Sequence, residues 1–193
     1  MPSFGATGKI TTDFGGNDYG YGVAVQSDGK IIVTGGNNSN FAIARYNSDG
    51  SLDTTFDTDG QLTTDFGGND YGYSVAVQSD GKIVVTAESD ANFVLARYNS
   101  DGSPDTTFDT DGQLTADFGG NDYGYSVAVQ SDGKIVVIGE SNGNFVLARY
   151  NSDGSPDTTF DTDGQLTADF GGNDYGYSVA VQSDGKIIVA GEG

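Results

Sequence analysis

Cysteine and histidine are both absent from the 193 residues. Without cysteine there is no disulfide framework and no thiolate metal site, and cysteine usage does not choose between cytosol and exterior. Without either residue the usual general base and the most reactive nucleophile are missing, so catalysis would have to rest on carboxylates. Basic residues are scarce, 8 against 28 acidic ones, for a formal charge of −20. A surface of that sign repels phosphate backbones and anionic lipids, which excludes nucleic acid as a partner. No apolar run approaches a membrane span and no charged-then-apolar leader precedes the first repeat. No membrane insertion is therefore expected, and any signal peptide would lie outside this sequence. Also missing is any long stretch with a 3.6-residue apolar period, so no helix is expected.

What is present is repetition. Phe14, Phe66, Phe118 and Phe170 recur every 52 residues, as do Lys30, Lys82, Lys134 and Lys186. Units 61–112 and 113–164 differ only at Thr64/Ala116, Thr86/Ile138, Ala87/Gly139, Asp90/Asn142 and Ala91/Gly143. Such an array is recently duplicated, homogenised or designed. Glycine is abundant, 31 residues against 3 prolines, and marks turns. Of the acids only Glu88, Glu140 and Glu192 are glutamates, and aspartate, the turn former, places most of the charge in loops.

Within one unit, residues 125–130 alternate, with Val127 and Val129 on one face, and read as a first strand. Asp132-Gly133 then predicts a tight hairpin with positive φ at both positions, leading into a second strand at 135–137. After a polar stretch at 140–144, residues 145–150 (FVLARY) form a third strand, apolar enough to be covered on both faces. A turn-rich connection, "NSDGSPDTTFDTDG", leads to a more polar fourth strand at 165–170, an outer edge. Four antiparallel strands per 52 residues predict an all-β fold, a β-propeller of four-stranded blades. The competing β-solenoid needs parallel stacking, which the repeated Asp-Gly hairpins oppose. The chain is thus expected to be a single repeat domain, with a partial unit 1–14, blades at about 15–66, 67–118 and 119–170, and a partial unit 171–193.

"VAVQSDGKIVV", "NFVLARYNSDGSPDTTF" and "LTADFGG" resemble the bacterial delta-60 repeat family, and the resemblance covers practically the whole chain from Phe4 onward. It implies a β-propeller-like repeat in large, often secreted or surface-associated bacterial proteins with no established catalytic activity. It brings no site residues with it. One departure adds carboxylates: the glycine-rich turn "FGATGKI" at 4–10 is replaced in later units by "FDTDGQL", beginning at Phe56, Phe108 and Phe160.

Chemistry has few places to reside. Paired carboxylates could cleave glycosides, but they need different environments, and near-identical blades present equivalent ones, so no enzyme is expected. The "DTDG" aspartates, Asp57/Asp59, Asp109/Asp111 and Asp161/Asp163, offer hard oxygen ligands of the kind Ca²⁺ takes. The same residues make Asx-type turns, and the glutamate of an EF-hand loop is missing. Arg45, Arg97 and Arg149, each inside a third strand beside a tyrosine, read as an anion or sugar-stacking ladder or as structural partners of loop carboxylates. Tyr71, Tyr73, Tyr123 and Tyr125, beside Asn and Asp, have the composition of a glycan-binding surface and also that of blade-to-blade packing. The units differ most in the loop after the second strand, which is either a varied surface on an invariant frame or drift in a solvent loop.

The resulting expectation is a non-enzymatic scaffold or interaction module for a protein or glycan. The alternatives are a self-assembling or engineered symmetric protein and a Ca²⁺-dependent glycan-binding module. With a fourth-type strand expected at 9–14 and an unpartnered final hairpin, the terminal strands are expected to join copies into a homo-oligomer.

Overall fold

The structure, a computed structural model, describes residues 4–193; residues 1–3 of the first partial unit lie outside the described residues. The chain runs through β1 (Asp18–Val25), β2 (Ile31–Asn37), β3 (Asn40–Tyr46) and β4 (Gln61–Thr64). It repeats as β5 (Asp70–Val77), β6 (Ile83–Ser89), β7 (Asn92–Tyr98) and β8 (Gln113–Ala116), and again as β9 (Asp122–Val129), β10 (Ile135–Ser141), β11 (Asn144–Tyr150) and β12 (Gln165–Ala168). It ends in the hairpin β13 (Tyr175–Val181) and β14 (Ile187–Glu192). Each set of four is one antiparallel sheet in sequence order. The first strands of successive sheets, β1, β5, β9 and β13, pack on one another while the fourth strands lie at the far edges. The sheets therefore fan out as propeller blades, three complete and one partial, with their first strands innermost.

The core lies between blades. Ile32, Phe41, Ile43 and Phe56 of the first unit form one cluster with Val75, Ile83, Val85 and Tyr98 of the second, and equivalent clusters join the later blades. Gly124 shows how closely the sheets approach: a Cβ there would lie 2.3 Å from the Phe93 ring. The third strands are buried on both faces, as their composition predicts.

Three details differ from the sequence expectation. Residues 9–14 form no strand. No third strand precedes them in the described residues to supply a hydrogen-bonding partner, and they lie on the first blade instead, with the Thr12 hydroxyl on that of Tyr46 at 2.5 Å. At Asp132-Gly133 only the glycine has positive φ, 88°. Gly133 N–H donates to Gln130 O and Gln130 N–H to Lys134 O, a three-residue loop with glycine in the left-handed position, while the Asp132 carboxylate accepts from Lys134 N. Finally, the second strand does not stop at Val137 but continues to Ser141. The two-residue hairpin with both φ angles positive is the next turn, Asn142 (50°) and Gly143 (77°). Glu140 thereby belongs to a strand and not to a loop.

Candidate functional site

The two ends of the blades differ in chemistry. At one end the first turn of each blade meets the long loop between third and fourth strands. There the Arg45 Nε donates to Asp53 at 2.7 Å, Lys30 Nζ lies 3.1 Å from the same carboxylate, and the Thr55 amide and hydroxyl also donate to it. Arg45 further donates to Ser100 O in the next blade and lies over the Phe56 ring, 4.8 Å from its centroid. Burial pushes the Asp53 pKa up, but the Thr55, Lys30 and Arg45 donors outweigh it and hold the carboxyl well below the usual range. Arg97 with Asp105 and Arg149 with Asp157 repeat the arrangement. Of the two readings of the arginine ladder, the geometry is that of structural partners, tying loop to strand and blade to blade. Clefts of about 710 Å³ and about 530 Å³ open between adjacent blades beside Arg45 and Arg97.

The "DTDG" aspartates lie in these same long loops. Asp59, Asp111 and Asp163 each accept the amide two residues on, from Gln61, Gln113 and Gln165, at 3.0 Å. Asp57, Asp109 and Asp161 take left-handed φ angles of 51 to 53°. The amides of Asp57 and Asp109 donate to Asp101 O and Asp153 O of the next blade. Among the described residues no group of three or more carboxylates converges as a metal site would require.

The other end carries the tyrosines. In every inner strand the register slips by one residue, and the unpaired residue is a tyrosine: Tyr21, Tyr73, Tyr125 and Tyr177. A β-bulge re-aims its extra side chain, and here it lines the four rings up across the blades, with centroids 5.7, 5.6 and 6.1 Å apart in succession. Tyr123 stacks on Tyr125 at 6.1 Å and Tyr175 on Tyr177 at 5.9 Å. Of the expected surface residues, Tyr73, Tyr123 and Tyr125 thus come together, while Tyr71 packs over Gly36 of the first blade, where a Cβ would lie 2.8 Å from its ring.

The sequence reading missed the acids of this end. Glu88, Glu140 and Glu192 sit on second strands directly opposite Tyr71, Tyr123 and Tyr175. Tyr73 donates to Glu88 and Tyr177 to Glu192, both at 2.6 Å. Glu140 is 8% exposed and its Oε2 accepts no hydrogen bond from the described residues. Burial pushes its pKa up. Asp70, Asp122 and Asp174, all fully buried, cap the loops entering the inner strands by accepting the amides of Phe66, Phe118 and Phe170. The signal for the glutamates was their uniqueness among so many aspartates, together with the Asn142-Gly143 turn that fixes the end of the strand.

Inner strands that converge, bulge and line a common surface define a β-propeller. The chain belongs to the family described as a domain of unknown function (DUF5122) beta-propeller, which matches residues 26–56, 78–108, 130–160 and 182–193. No relative among curated proteins matches at the sequence level. A protein of unknown function from Bacteroides caccae shares the fold with a TM-score of 0.61 at 12% identity, over 94% of this chain and 55% of its own. Virginiamycin B lyase from Staphylococcus aureus gives 0.58 at 18%, over 89% and 48%. YCF48 from Cyanidioschyzon merolae gives 0.52 at 13%, over 94% and 50%. The chain spans about half the length of these structures.

Proposed function

We propose that the chain is a non-catalytic scaffold of the delta-60 repeat type, an interaction module of a secreted or surface bacterial protein whose ligand-facing surface is the tyrosine track. The bulge that repeats in every inner strand carries this reading. It places one ring per blade on a continuous surface, and aromatic faces beside carboxylates suit the recognition of glycans or peptides. Catalysis is disfavoured because the sequence has no His or Cys and the buried aspartates Asp53, Asp105 and Asp157 are held by arginine donors. Extracellular placement rests on the family resemblance. Titration of neutral oligosaccharides and peptides, followed by tyrosine emission, tests the module. At least one compound should give a saturable change that the pair Tyr73→Ala/Tyr125→Ala removes; no change across the panel, or binding indifferent to that pair, contradicts it.

A second reading, self-assembly, is favoured by the terminal faces. Val23 is 66% exposed, whereas its counterparts Val75 and Val127 are buried. In the last unit Phe170 is 70% exposed and Ile188 51%, the latter at the place of the fully buried Val84 and Val136. Both faces are shaped to receive another blade, and a second copy supplies the complementary one at each end.

A further inference from the structure

The tyrosine end of the blades carries negative charge, and among the described residues no lysine or arginine forms an ion pair with Glu88, Glu140 or Glu192. Apart from Lys9, every basic residue belongs to the opposite end: the lysines follow the first turns and the arginines pair with Asp53, Asp105 and Asp157. Glu88 and Glu192 are each satisfied by a tyrosine hydroxyl. The repeat offers Glu140 the same partner, Tyr125, yet no bond forms, and the carboxylate is left more than nine-tenths buried with Oε2 unpaired among the described residues. A buried acceptor of this kind requires a donor, and a buried negative charge requires a positive one. Around it stand aromatic faces: Tyr123 directly across the strand pair, and Tyr125, parallel to Tyr123 within 2° and 6.1 Å from Tyr177.

Resting on the interaction-module reading, we propose that Glu140 with Tyr123 and Tyr125 binds an organic cation, a primary ammonium group held over the rings with an N–H donated to Oε2. Aromatic faces attract such cations through their quadrupole, more strongly where water is excluded. A neutral sugar supplies donors but leaves the charge unbalanced. A divalent metal needs several oxygen ligands, and no group of three acids gathers among the described residues. The tyrosines register the same negative field: burial pushes the Tyr125 hydroxyl pKa up, and Glu140 pushes it further.

Methylammonium chloride, titrated into the 193-residue protein against sodium chloride at equal ionic strength, tests the site. Tyrosine emission reports on it directly, since the chain has 11 tyrosines and no tryptophan. A saturable change is expected with the ammonium alone, weakened about tenfold or more by Glu140→Gln, as expected when one member of a buried charge pair is removed. Asp111→Asn, which removes one charge at the opposite end of the blade where the carboxylate only caps the Gln113 amide, should bind like the parent. The Gln variant keeps the shape of Glu140 and removes an unbalanced charge, so its melting temperature should not fall; Tyr125→Leu, which removes a ring face, provides an independent second loss. No saturable response, or equal affinity in Glu140→Gln, overturns the proposal. A response to maltose and none to the ammonium overturns the cation but leaves the interaction module standing. A panel of oligosaccharides, peptides and the ammonium that all fail to bind overturns both.

Discussion

Units 61–112 and 113–164 form an internal mutant series in nearly the same frame, and their few differences have opposite signs. In the first, the Thr64 hydroxyl meets the Tyr98 hydroxyl at 3.0 Å. In the second, Ala116 stands in place of Thr64 and the buried Tyr150 hydroxyl has no partner among the described residues. Burial raises both phenol pKa values, but the Thr64 bond offsets part of the rise at Tyr98, which reaches about 12, while Tyr150 is pushed higher. The turn after the second strand reverses the balance. Ala91 takes a φ of 61°, which strains an alanine, where Gly143 takes 77° freely. Thr86 buries a hydroxyl that has no partner among the described residues, where Ile138 buries only hydrocarbon. A repeat frame thus tolerates substitutions whose effects are set one contact at a time.

The largest contrast between the units comes from their neighbours, a complete blade packed after the second sheet and only a two-stranded hairpin after the third. Arg97 donates across to Ser152 O of the next blade and its side chain is 5% exposed; Arg149 has no such carbonyl among the described residues and is 17% exposed. Asp105→Ala strands both Arg97 and Lys82 and should cost about 3 kcal/mol in urea denaturation. Asp157→Ala should cost less, and equal losses would break the comparison. The dependence on pH has a definite sign. Burial raises the Asp105 pKa, and Lys82, Thr107 and Arg97 more than offset this, leaving it well below its unfolded value near 3.9. The stability it contributes is present above about pH 4 and lost as pH falls further. The difference between wild type and Asp105→Ala should therefore shrink from pH 7 to pH 3.

A smaller effect sharpens the comparison from the other side. Ala116→Thr restores the hydroxyl that Tyr150 lacks and should stabilise by about 1 kcal/mol, read from the urea midpoint. An unchanged midpoint would mean that Tyr150 is already satisfied by water.

The blades were legible because alternation, Asp-Gly turns and the 52-residue period all report on local backbone geometry. Residues 9–14 were misread as a strand because the pattern is that of a strand, while pairing depends on a neighbour that local pattern does not show. The tyrosines were found from composition, but not the bulge that aligns them, since a one-residue slip shows only where apolar and polar residues alternate, and Tyr123-Gly124-Tyr125-Ser126 has no such alternation. Glu140 was placed in a loop because "IGESNGN" is polar; the strand under that polarity is fixed by the Asn142-Gly143 hairpin. The arginine partners, Asp53, Asp105 and Asp157, could be anticipated in kind but not in position, because each lies across a turn-rich loop.

Near-identical blades stabilise one another by burying the same apolar faces, and Val23 and Ile188 are exposed at positions that a neighbouring blade buries elsewhere in the structure. Light scattering coupled to size exclusion, at micromolar concentration, measures directly whether a second copy supplies it. A mass that is a multiple of 20.0 kDa is the predicted result, with Val23→Lys returning it to the single-chain value; a stable 20.0 kDa species for the unmodified chain would contradict it.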